Sequence, residues 1–175
     1  MPTREMILKT LAEAHEELLA YYRALTPEEL ESICTTSEVP GGEPWRPKDH
    51  LAHLTFIEQA FQGMVRRVLK GSADPVGFSR TGATNREEIL AWIHCNNQAY
   101  VDVHRSDSLE TLLTDLAHAR QQTLALLEQM TDEQLSLPLP GAPWDDGTAG
   151  GILITNAHHE QQHLSWVQQG LHQHS

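Results

Sequence analysis

Three histidines carry the clearest chemistry in this sequence. His159 and His163 stand one helical turn apart in GTAGGILITNAHHEQQHLSWVQQ (residues 147–169), and His53 lies more than a hundred positions earlier. At a helical period the first two differ by about 40° in azimuth and share a stripe with Ile152 and Trp166, which should face a core. Imidazoles facing an interior are either hydrogen-bonded packing residues or ligands. If the three converge, they suit a divalent transition metal that keeps positions open for water or substrate. Unpartnered, they would cost several kcal/mol (on the order of) as buried polar groups, a cost that a metal turns into a gain. With 11 histidines in 175 residues, about one such i, i+4 pair is expected by chance, so the remainder of the chain must decide.

The elements that position these residues read as helices throughout. Thr3 to Leu25 carries Ile7, Leu8, Leu11, Ala14, Leu18, Leu19 and Tyr22 on one stripe, and TPEEL adds a short turn with Thr26, Pro27 and Glu29 forming a capping box. Residues 34–47 form a Pro/Gly loop bearing Trp45, either a plug over the bundle end or a ligand contact. Pro47 opens a helix to Leu69 with His53, Leu54, Ile57, Phe61, Met64, Val65 and Val68 inward. His50, nearer the helix start, is expected in solvent. Asp49 either complements the helix dipole or orients an imidazole.

A breaker-rich segment from Gly71 to Ala83 precedes a helix from about Asn85 to His104, capped by Thr84 with Glu87. Its inward residues are Ile89, Leu90, Ile93, Tyr100 and Val101, and Asn96, Asn97 and Gln98 read either as a solvated face or as amides near a pocket that hold a polar substrate. Cys95 reads as an ordinary thiol, with nucleophilic chemistry the alternative. Residues 108–130 form a further helix, then MTDEQL a second short turn, and a second Pro/Gly loop bearing Trp144 leads into the His159 helix. Asn156 on that helix, with Trp45, Trp144 and Trp166, supplies mixed pocket walls. The sequence is all-α.

An internal repeat links the histidines. Residues 3–30 and 108–135 align with ten identities in 28 positions, among them Leu11/Leu116, Ala14/Ala119, Thr26/Thr131 and Leu30/Leu135. Each copy continues through a short turn and a Trp-bearing loop into a histidine helix, and His53 corresponds to His159. Two pseudo-repeated hairpins then make a four-helix bundle with one additional helix. The two histidine helices face each other about a pseudo-twofold axis, as one domain over residues 1–175.

A formal net charge of −12 disfavours phosphate backbones and anionic lipid, so neither nucleic acid nor membrane is an expected partner. The N-terminal segment lacks an apolar signal core and no stretch approaches a membrane span, which points to a cytoplasmic protein. Cys34 and Cys95 are expected as reduced thiols.

WRPKDHLAHL (45–54) and HHEQQHL (158–164) resemble the opening and closing histidine motifs of the DinB/YfiT-like superfamily, four-helix-bundle metal-dependent enzymes that include the mycothiol-dependent maleylpyruvate isomerases. Residues 145–163 are similar to that isomerase branch, with Glu160 where it often has Tyr and Gln162 where it often has Glu. The resemblance implies His53, His159 and His163 as ligands of nickel or zinc, with manganese or iron less suited to imidazole. It also implies a low-molecular-weight thiol (mycothiol, bacillithiol or glutathione), an electrophilic small-molecule substrate and a homodimer. The expected chemistry is thiol transfer, thiol-assisted isomerisation or hydrolysis. The alternatives are a non-catalytic small-molecule sequestration protein and a structural homo-oligomer with packed histidines. On the metal reading, His163→Ala abolishes metal retention, whereas alanine at His50, His94 or His172 leaves it.

Overall fold

Helix starts in this chain are written by local capping chemistry. In the computed structural model, which describes residues 2–141 and 146–173, Thr3, Ser108 and Thr131 accept from the backbone amides three residues on, opening α1 (Arg4–Ala24), α5 (Leu109–Gln129) and the short α6 (Asp132–Leu135). Thr26 and Glu29 form the expected capping box of α2 (Pro27–Glu31). α3 (Pro47–Leu69) takes Pro47 as its first residue and α7 spans Ala149–Gln173. The cap of α4 (Arg86–His104) is displaced by one residue from expectation. Asn85 rather than Thr84 caps Glu88, and the Glu88 carboxylate takes both the amide (2.6 Å) and the hydroxyl (3.0 Å) of Thr84. A 3₁₀ turn at Phe78–Arg80 interrupts the connection before α4. Among the described residues there is no strand, and no helix is long and apolar enough to cross a membrane.

Residue pairs define the topology. Ile7 lies against Gly150 and His15 meets Glu160, so α1 and α7 run parallel. Arg46 reaches the carbonyl of Arg105 while Glu58 and Gln62 meet Thr123, so α3 and α5 are also parallel. The two pairs oppose each other: His50 sits beside His163 and His53 beside His159. Parallel α3 and α5 require a return, and α4, packed chiefly on α3, provides it. Both halves also carry an isolated antiparallel bridge at the end of the Pro/Gly loop, Thr35 with Trp45 and Pro138 with Thr148. The repeat is thus structural as well as textual.

Because α4 leans on a single helix, its buried face is narrow. Val101, Asn97 and Gln98 are buried, whereas Leu90, expected inward, is exposed. The amides are not a solvated face: Gln98 accepts from Trp45 Nε1 (2.9 Å) and Ser37 (2.7 Å), and Asn97 donates to Glu38 (2.7 Å). Trp166 also departs from expectation at 40% exposed. The antiparallel pairing of α3 and α7 places it level with the very start of α3.

The two larger apolar clusters of the core lie around Ile7, Phe61, Val65, Leu127 and Ile152 and around Leu18, Trp45, Leu51, Leu116 and Leu164, and a small third one joins Cys34 to Val167 and Leu171. Between the larger two runs a buried polar belt. Arg120 of α5 donates Nε to Glu58 of α3 (2.7 Å), Nη1 to the Leu11 carbonyl of α1 (2.7 Å) and Nη2 to Glu160 of α7 (3.0 Å), so one guanidinium ties all four helices. Thr123 adds a bond to Glu58 (2.7 Å), and His15 Nδ1 lies 3.1 Å from Glu160 Oε1.

The loop of residues 32–46 presses on α7 at Gly170, where an added Cβ would lie 2.0 Å from the Cys34 carbonyl oxygen. Gly170→Ala must displace backbone, and a loss of about 1–3 kcal/mol is expected. Thermal denaturation reads this as a midpoint lowered by several degrees, roughly 2–4 °C per kcal/mol at this size. An unchanged midpoint would show that the loop yields freely.

Candidate metal centre

His53 and His159 project from α3 and α7 with Nε2 atoms 3.3 Å apart. Two imidazole nitrogens bound about 2.0–2.1 Å from one tetrahedral ion are expected about 3.3–3.4 Å apart, so this spacing fits a shared cation. His163 completes the group: ligand atoms of the three residues lie within 4.8 Å of one another. The ring centroids are 5.0 Å (His53–His159), 4.7 Å (His53–His163) and 4.4 Å (His159–His163) apart. His53 and His163 are buried and His159 keeps a partly exposed edge.

Burial pushes all these imidazoles away from the charged form. His159 is held down to about 4 by desolvation. His53 and His163 lie well below the ordinary value through desolvation first and mutual repulsion second. They are neutral at pH 7, the state a metal requires.

His50 is the residue the sequence reading misplaced. It is 1% exposed, with Nδ1 2.8 Å from His163 Nδ1 and Nε2 3.0 Å from Thr35 Oγ1. The bridge between Thr35 and Trp45 folds the preceding loop over the start of α3 and shuts out solvent. A neutral His163 that offers Nε2 to a cation carries its proton on Nδ1. It donates to His50 Nδ1, and His50 in turn donates from Nε2 to Thr35. The chain Thr35–His50–His163 thereby sets the orientation and tautomer of one candidate ligand. Burial drives the pKa of His50 down to about 4, against the pull of Asp49.

Trp45 closes the bundle end over this cluster, its ring centroid 5.1 Å from His53 and 5.2 Å from His50. Trp166 meets the edge of His163 at 4.7 Å. Asp49 accepts from the Arg46 amide (2.8 Å) and from the Arg46 and Arg105 guanidinium groups (3.1 Å each). Of the two roles open to it, these partners fit the one at the helix start, and the His163 imidazole is instead oriented by His50. Asn156 is buried, and its Nδ2, like His53 Nδ1 and Glu160 Oε2, has no partner. These orphaned polar atoms, carried by the two histidine helices, fit a site that receives a polar guest. Trp144 lies outside the described residues. Cys95 is exposed on α4, and the buried Cys34 thiol is pushed up to about 12 by burial and by Asp49, which leaves it inert.

A helical bundle that brings three neutral imidazoles from two antiparallel helices to one point defines a candidate metal-binding bundle protein. The chain belongs to the DinB superfamily, whose profile matches residues 1–56 and 38–167. It is similar to the crystal structure of an uncharacterised protein from Escherichia coli UTI89, with a TM-score of 0.70 and 18% identity, 96% of this chain and 92% of that chain being covered. That likeness concerns the fold. No curated protein matches.

The depressed histidine pKa values make stability depend on pH. Each folded value lies below the unfolded value of about 6.5, so the unfolded chain takes up protons first and the metal-free fold loses stability as pH falls from about 7 towards 4. At pH 5, His50 and His159 each remove on the order of 2 kcal/mol, and His53 and His163 act in the same direction. Urea unfolding at pH 7 and pH 5 tests this, and equal midpoints would refute the buried neutral cluster.

Proposed function

We propose that the protein is a metal-dependent enzyme in which His53, His159 and His163 hold a divalent ion, zinc or nickel, and an electrophilic small molecule is attacked by a low-molecular-weight thiol or water. The observation that carries this reading is the convergence of the three histidines within 4.8 Å. An ion held there supplies Lewis acidity, which favours the deprotonated nucleophile at neutral pH. The chain's own residues do the remainder. Trp45 excludes water from the bundle end, Gln98 fixes the indole through Nε1 (2.9 Å), and His50 with Thr35 orients His163. The partly exposed edge of His159 leaves the side from which reactants approach. Thiol transfer, thiol-assisted isomerisation and hydrolysis all suit this arrangement. At the position where the isomerase branch often has Tyr, Glu160 is committed to Arg120 and His15.

Elemental analysis of protein purified without a metal-affinity tag tests the reading. About one equivalent of zinc or nickel per chain is expected, lost with chelator and regained on incubation. Less than about a tenth of an equivalent after incubation would sink it. The measurement is made on a chain lacking its last four residues, which removes His172 and His174.

A further inference from the structure

One turn beyond His53 along α3, a separate cavity of about 300 Å³ opens between α3, α4 and the connection that joins them. Its walls are mainly apolar, with Phe61, Met64, Phe78 and Trp92 among them, Asn96 and Asn97 add polar groups from α4, and Ile57 borders the end nearer the histidines. At the far end lies Arg67. Its Nε donates to the Pro75 carbonyl, and the guanidinium folds back over Gly63, where an added Cβ would lie 3.3 Å from Nη1. A side chain at Gly63 would crowd the guanidinium by a few tenths of an ångström.

Not every arginine of this chain, whose net charge is −12, forms an ion pair. Arg4, Arg46, Arg105 and Arg120 each meet a carboxylate. Among the described residues Arg67 meets none. The nearby Asp74 spends its oxygens on the amides of Gly77, Phe78 and Ser79 and on the Ser79 hydroxyl. Burial first and the Arg80 charge second disfavour the Arg67 cation, and they outweigh the support that the Asp74 charge gives it. A mainly apolar slot ending in a guanidinium that touches no carboxylate among the described residues is complementary to an apolar molecule with a carboxylate at one end.

We propose that this cavity binds a small aryl- or alkyl-chain carboxylate, its anion on Arg67 and its apolar body along α3 towards the histidines. Ile57 and Gly63 are six residues apart, about 9 Å along the helix, so a chain of six to eight carbons (roughly) spans the slot. Calling this ligand a substrate rests on the metal reading above; its binding does not.

The probes are 4-phenylbutanoate and its neutral amide, titrated into the metal-free and the zinc-loaded full chain, with heat and Trp92 fluorescence as readouts. The acid is expected to bind about tenfold or more tightly than the amide, because one charge-assisted pair is lost in the amide. Arg67→Gln erases that preference, Arg67→Lys keeps part of it, and Ala60→Phe, which fills the slot, abolishes binding of both without altering metal content. Equal binding of acid and amide, an intact preference in Arg67→Gln, or no binding of either at millimolar concentration overturns the proposal. Preference for the acid in the metal-free chain, combined with failure to retain metal, leaves the cavity standing and removes the enzyme reading. Metal retention with no preference does the reverse.

Discussion

His163→Ala lowers zinc affinity on the order of a hundred- to a thousandfold, and His50→Ala lowers it about 10- to 100-fold without removing a ligand. The first figure follows from the scale of zinc binding, about 10–16 kcal/mol shared among four ligands, or roughly 3–4 kcal/mol each. The second follows from the geometry of His50, which sits 2.8 Å from His163 Nδ1 and 3.0 Å from Thr35. Without it the His163 ring loses its tautomer lock, an effect of that size where such supporting bonds are cut. His50→Asn, which can still accept a hydrogen bond, recovers part of the loss if orientation is the cause. Competition against a zinc indicator measures all three variants, with His94→Ala and His172→Ala as unaffected controls. Wild-type affinity in His163→Ala would remove this residue from the site. Wild-type affinity in His50→Ala would reinstate the sequence-based expectation that His50 is dispensable.

Arg120→Met should be the most destabilising of the single changes considered. It leaves the Glu58 and Glu160 carboxylates, each 2% exposed, without their cation. Burial opposes the Arg120 charge, and the two carboxylates outweigh it and raise its pKa. Breaking such a buried group by removing one member costs about 3–5 kcal/mol, which at this chain length is a fall in midpoint of roughly 6–20 °C. The triple change Glu58→Met, Arg120→Met, Glu160→Met should recover most of that loss, since apolar replacement of a whole buried ionic group is often neutral or stabilising. A single variant melting within about 2 °C of wild type would show that the belt is solvated and contributes little.

Much of this architecture was legible along the chain. Thr26 and Glu29 announce the cap of α2 and Pro47 the start of α3, because a cap is decided by residues within three positions of each other. The repeat between residues 3–30 and 108–135 was readable for a related reason: two copies of one hairpin preserve the same inward stripe, and the two bridges show the resemblance extending into the loops. The belt was not read. Glu58 lies four residues after Leu54 and three before Phe61, on a stripe otherwise apolar, and Arg120 lies four after Leu116. Charges at inward helical positions were the available signal, and the partners of Arg120 sit from 40 positions away (Glu160) to 109 (Leu11). His50 escaped for a similar reason, since its solvent is excluded by a loop whose fold depends on a Thr35–Trp45 bridge that no periodicity records.

The sequence by itself determined the helices, their caps to within one residue, the pairing of the two halves and the one-turn spacing of His159 and His163. All of these depend on dihedral preferences and hydrogen bonds between residues a few positions apart. The tertiary structure alone decided the antiparallel register of α3 against α7. That register sets His53 opposite His159 and His50 opposite His163 and leaves Trp166 half uncovered. Such outcomes arise from the free energy of packing whole helix faces together, a sum over contacts between distant parts of the chain to which no local stretch has access.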